Sequence, residues 1–129
     1  MRSVARRAPV PGAKRLHSGA ADPGAGDIDR GREIVAGREG NCLLCHALPE
    51  TKQRFMGNVA PALSHVASRL TPAQIRLRVV DPTLVNREAV MPAYYRVRGL
   101  DQVAQPFRDR PILSAQQVED VVAYLSTLK

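Results

Sequence analysis

Cys42-Leu43-Leu44-Cys45-His46 is the stretch on which the reading of this chain turns. Both cysteines of the 129-residue sequence fall inside it, so no disulfide framework can staple the fold. Two thiols three residues apart can form thioether bonds to the two vinyl groups of one haem, and the imidazole that follows is then held under the iron as a permanent axial ligand. Three other readings compete. A redox dithiol has no use for the histidine, and no βαβ pattern surrounds the motif. A structural zinc site needs four ligands, and Cys42, Cys45 and His46 supply only three, with no second clustered pair elsewhere. Chance would have had to place both cysteines in one pentapeptide. The motif therefore points to one covalently attached haem c, with Cys42 and Cys45 as attachment sites and His46 as proximal ligand.

Composition agrees with a core built partly from something other than protein. Hydrophobic residues make up 44% of the chain, yet its only rings are Phe55, Tyr94, Tyr95, Phe107 and Tyr124, with no Trp. A haem would supply the large flat apolar body that these side chains do not. No apolar run approaches the roughly 18 to 20 residues that cross a bilayer, which excludes an integral membrane span.

Working outward from the motif, the sequence predicts an all-α domain of three or four helices. Upstream, Asp27 or Asp29 can cap a helix with Ile28, Ile34 and Val35 on its apolar face, ended by Gly40 and Asn41. Gly31 in that helix would let another backbone or ring approach closely, and Tyr124 is the natural ring to do so. Downstream, residues 47–63 hold no clear element, and a short helical stretch spans about 64–70. Thr71-Pro72-Ala73-Gln74 is a capping-box start with Pro at the first helical position. The alternation of Ile75, Leu77 and Val79 is ambiguous, but the cap and the Asp81-Pro82 stop favour helix. Residues 82–113 are again a long, proline-broken loop. The last helix is the clearest: Ser114 caps it, Gln117 completes a capping box, and Val118, Val121, Val122, Leu125 and Leu128 form one stripe. Two long loops in so small a domain are tolerable if they wrap and ligate a bound group.

A sixth iron ligand would separate an electron carrier from a catalyst with an open iron. The candidates are Met56, Met91, His17 and His65. Met91 stands out because Pro92 restricts it to an extended conformation, and a soft thioether on a rigid loop far from the motif suits a second axial ligand. His/Met ligation raises the reduction potential relative to bis-His and closes the iron to exogenous substrate. A ligating imidazole donates its other N–H to a carbonyl or carboxylate, and Pro61 lies at a suitable distance along the loop to offer that carbonyl. Tyr94 and Tyr95 either pack on the haem or face a partner.

The net charge of +7 invites a nucleic-acid reading, but its position argues against one. Residues 1–26 carry five basic groups and one acidic, and the remaining 103 residues carry 14 basic and 11 acidic. No zinc-finger spacing or aromatic-interleaved basic stretch is present. Residues 1–26 read as a disordered basic arm punctuated by Pro and Gly, a truncated signal or an expression remnant, because the apolar stretch of a complete export signal is missing. The domain proper is residues 27–129.

Residues 27–129 resemble a class I cytochrome c in Gly31 with Ile34, the 42–46 motif, Pro61-Ala62-Leu63, Met91-Pro92 and the C-terminal amphipathic helix. A narrower resemblance rests on four segments in order: Gly40 to Ala47, Arg78 to Pro82, Val90 to Tyr95, and Pro111 to Leu125. These are similar to the SoxX family, the small monohaem subunits of SoxAX cytochromes of sulfur-oxidising bacteria. The resemblance implies a heterodimer with a larger SoxA-like cytochrome subunit and a periplasmic location. It implies a part in oxidatively joining thiosulfate to a carrier-protein cysteine, an L-cysteine S-thiosulfotransferase reaction. The bond-forming site is then expected on the partner, with no catalytic residue here, and this chain passes electrons to small cytochromes. It also matches Cys42 and Cys45 to the attachment sites, His46 to the proximal ligand and Met91 to the distal one. The alternative is a free-standing class I cytochrome c electron carrier.

Overall fold

Asp27 begins the first helix as a cap: its carboxylate accepts the Arg30 N–H at 2.8 Å, and α1 runs Ile28–Ala36 in the computed structural model, which describes residues 24–129. The chain then passes through Asn41, at φ 50°, a left-handed conformation that Asn tolerates better than most residues. Helix α2 is a single turn, Val66–Arg69, and α3 spans Pro72–Val80 behind a complete Thr71–Gln74 capping box. Helix α4, Ala115–Leu125, starts on the Ser114–Gln117 capping box. These four helices and a few 3₁₀ turns are the regular structure among the described residues, and none of the helices is long and apolar enough to cross a membrane.

Helices α1 and α4 make the most extensive contact between elements. Gly31 permits it: a Cβ there would lie 2.0 Å from the Asp120 carbonyl oxygen and 2.8 Å from Cβ of Tyr124. It is the α4 backbone at Asp120, with Cβ of Tyr124 beside it, that approaches Gly31 most closely. The N-terminal end differs from the sequence reading in two ways. Ile28 is 49% exposed rather than part of the apolar face. Gly24 to Gly26, assigned to the arm, already lie on α4, with the Gly24 N–H donating to Gln116 and Gly26 pressed against the Glu119 carbonyl. The rest of the arm, with His17, lies outside the described residues.

The core comprises Ile34 and Val35 from α1, Ile75 and Val79 from α3, and Val118, Val121, Val122, Tyr124 and Leu125 from α4, joined by loop residues such as Leu43, Leu48, Leu63, Tyr94 and Leu113. Leu128 falls beyond the helix end but still packs on this core. Helix α3 is pinned to α4 by a bidentate pair, Arg76 Nε and Nη2 to the two Glu119 carboxylate oxygens at 2.7 and 2.8 Å.

Asp120 is the charged residue at the α1–α4 crossing, 1% exposed. It accepts the Asp27 N–H at 2.8 Å, Arg30 Nε at 2.9 Å and Nη2 at 3.1 Å, and Gln116 Nε2 at 3.0 Å. The Arg30 guanidinium, above all, lowers its carboxyl to about 2, against the opposing effect of burial. A depressed carboxyl contributes stability above its unfolded value and loses it as pH falls through its folded value. Asp120→Asn is therefore expected to lower stability at neutral pH by about 2 kcal/mol. The deficit should shrink as pH falls from about 4 towards 2, because the parent then loses the same contribution. Urea unfolding of parent and variant across that range checks it; a pH-independent deficit would show that the carboxylate charge is not what stabilises the crossing.

Candidate functional site

The attachment turn is local structure. Residues Cys42–Leu44 form a 3₁₀ turn, and the Cys45 and His46 N–H groups both donate to the Cys42 carbonyl, at 3.2 and 3.0 Å. One turn of chain therefore separates Cys42 from Cys45 and His46. Both cysteines are free thiols and half-buried, and Leu43 between them faces the core. Burial pushes the Cys42 thiol up to about 11, with the neighbouring Tyr94 hydroxyl acting in the opposite direction.

A second segment runs alongside this turn. The Gly57 N–H donates to the Leu43 carbonyl at 2.8 Å, Ala60 to Cys45 at 3.0 Å, and Leu63 to Ala47 at 2.9 Å. Gly57 makes the approach possible, since a Cβ there would sit 2.0 Å from the Leu44 carbonyl oxygen. The ladder carries Pro61 to His46, whose Nδ1–H donates to the Pro61 carbonyl at 2.5 Å. That bond fixes the ring and its tautomer and leaves Nε2 with a lone pair for a metal. Pro61 thus stands where the sequence reading placed it.

The distal candidates separate by what their donor atoms already do. Met56 is partly buried, and its sulfur accepts the Leu48 N–H at 3.2 Å. His65 is exposed, and its Nδ1–H donates to the Lys129 carbonyl at 2.8 Å, tying it to the chain end. Met91 is half-buried against the core, and its sulfur accepts no hydrogen bond among the described residues.

Tyr94 proves more informative than the sequence suggested. It is buried, its hydroxyl donates to the Gly40 carbonyl, and burial raises its phenol well above the usual range. It is not a partner-facing ring; it fastens the segment after Met91 to the turn that carries Cys42. Its neighbour Tyr95 is half-buried and packs on the core. Sequence reasoning missed this anchoring, and missed Gly57, because both depend on a second segment lying alongside. The only local signal was a glycine in a loop.

These residues fit a covalently attached haem better than a bare ion. Among the described residues no three His, Cys, Asp or Glu side chains converge on a metal position. The two thiols share one turn, and the imidazole is oriented by a carbonyl. The loops that carry His46 and Met91 also hold apolar side chains with little protein around them: Val59 is 78% exposed and Val90 96%.

Comparison with known proteins agrees. The cytochrome c family model matches residues 28–129. A chain of the crystal structure of SoxXA from P. pantotrophus superposes with a TM-score of 0.76 at 36% identity, covering 82% of this chain and 84% of that one. No curated protein matches.

Proposed function

We propose, from the premise that this chain belongs to the cytochrome c family and is a SoxX-like class I cytochrome, that it is the monohaem electron-transfer subunit of a SoxAX-type thiosulfate-oxidising complex. The observation that carries the proposal is the 36% identity over more than four fifths of both chains to a chain of SoxXA. The cytochrome c family match supports covalent haem c. When bound, that haem supplies a one-electron iron couple.

The chain's own part is to hold, orient and shield. Cys42 and Cys45 hold one haem through thioethers, so it cannot leave. His46 presents Nε2 as proximal ligand, with the Pro61 carbonyl fixing its ring. Met91 would be the distal ligand: the Met56 sulfur is taken by the Leu48 N–H, and His65 is an exposed side chain tied to the chain end through Lys129, whereas the Met91 sulfur accepts no hydrogen bond among the described residues and its side chain packs on the core. Tyr94 supports the arrangement by joining the distal segment to the attachment turn, and Tyr95 packs on the core beside it. With His46 and Met91 both holding the iron, the site would favour electron transfer over chemistry there. The bond-forming step then belongs to a larger SoxA-like cytochrome subunit in the periplasm, with the carrier protein and small cytochromes as further partners.

Purification from a periplasmic extract at low salt tests the assembly. A stable complex with a larger haem-bearing subunit is expected. A lone monomer at physiological concentration would favour a free-standing class I carrier.

A further inference from the structure

We propose that Asp81 and Arg96 are positioning residues for Met91, acting as a side-chain clasp across the neck of the loop that carries it; this rests on the assignment of Met91 as distal ligand. The neck has three successive rungs. The Tyr94 N–H donates to the Val79 carbonyl at 3.1 Å, and the Tyr95 N–H to the Val80 carbonyl at 3.3 Å. These are carbonyls at the end of α3 that the helix itself leaves without partners. The third rung is made by side chains. Arg96 Nη1 donates to Asp81 Oδ2 at 3.3 Å and to Thr83 Oγ1 at 3.1 Å. Thr83 in turn donates from its backbone N–H and its hydroxyl to Asp81 Oδ1, at 3.1 and 2.5 Å.

Three features make this more than a surface ion pair. Asp81 is 5% exposed, so water screens the pair weakly. Arg96 Nε is buried without a hydrogen-bond partner, and Nη1 makes the contacts to both Asp81 and Thr83 at the neck. Most importantly, the loop has little else to hold it. Leu84, Val85, Asn86, Arg87, Glu88 and Val90 are all exposed, and Val90 is 96% so. A loop without its own packing takes its position from its ends, and Met91 stands only three residues before the first rung. An open neck would free the thioether to leave; a closed one holds it in a single place. The clasp therefore biases a two-state equilibrium, closed against open.

Cyanide binding to the oxidised holoprotein reads the open state, and amide hydrogen exchange of residues 82–93 reads it independently. The parent must first show the thioether-to-iron charge-transfer band and lose it in Met91→Ala; a parent without the band overturns the ligand assignment itself. Given the band, Arg96→Ala is expected to bind cyanide roughly tenfold faster, the effect of losing one partly buried charge-assisted bond. Thr83→Val should do so by about threefold, with faster exchange at the Leu84, Asn86 and Ala89 amides in both. Arg96→Lys should stay within about twofold of the parent, since one ammonium can replace the single nitrogen in use. Parental cyanide and exchange rates in Arg96→Ala and Thr83→Val, with only thermal stability reduced, would overturn the clasp. Thr83→Val carries the test alone if Arg96→Ala does not fold.

Discussion

Replacing Cys42 and Cys45 together by Ala is expected to abolish covalent haem binding completely, because no other thiol exists in the chain. After denaturation and extraction into acidified solvent, the parent should keep its pyridine haemochrome spectrum with the protein, and the double variant should lose it to the solvent. Structure should suffer as well. Among the described residues the buried core contains only two aromatic rings, Tyr94 and Tyr124, and the loops of residues 47–63 and 82–113 bury few side chains among themselves. Without a permanently attached apolar group, those loops have little to fold against, and loss of buried apolar contact of this size costs several kcal/mol, on the order of the whole stability of a small domain. Circular dichroism and urea unfolding of the variant should therefore show a weakened or absent transition. Haem that stays with the denatured double variant would mean that the motif does not attach it.

Met91→Ala is the second large effect. Removing the thioether should open the distal side, so that carbon monoxide and cyanide bind where the parent resists them. It should also lower the reduction potential by on the order of 0.1 V, a modest part of the roughly 0.8 V range over which axial ligands act. The fold should survive, because Met91 is only half-buried and lies on a loop. Met56→Ala is the control: its sulfur is engaged by the Leu48 N–H, and its loss should leave the spectrum unchanged. An unchanged spectrum in Met91→Ala with a changed one in Met56→Ala would move the distal ligand to Met56.

The clasp and the acid behaviour of Asp120 concern smaller quantities but the same question of what locates a loop-borne ligand. Neither involves a residue of the attachment motif. Asp120 joins α1 to α4 ahead of the attachment turn, and Asp81 with Arg96 bridges the neck of the loop that carries Met91. Tyr94 links the two through Gly40. The two loops of the site are thus held by separate devices joined at one buried phenol.

Much of this was legible in the order of residues. The 42–46 motif is local chemistry: two thiols and an imidazole within five residues define the cofactor before any fold is known. Capping boxes are equally local, and those at Thr71–Gln74 and Ser114–Gln117 formed as read, since each needs only its own four residues. The α4 stripe followed from periodicity. The Pro61 carbonyl was legible because a ligating imidazole needs an acceptor for its other N–H, and Pro61 lies at a suitable distance along the loop to offer one. Other features had no local signature. Gly24 to Gly26 lie on α4, more than ninety residues away in sequence, a placement that no local pattern foretells. Gly57 mattered only once a second backbone ran beside Leu44. Asp120, Tyr94 and the Asp81–Arg96 pair read as ordinary helix and loop residues until tertiary structure gave them partners. The 42–46 pentapeptide pointed to covalent haem without any fold, because its two thiols and imidazole lie within five consecutive residues. The partners of Met56 and His65, the Leu48 N–H and the Lys129 carbonyl, have no such local signature, because they reach these side chains through the folding of the chain rather than through sequence neighbours.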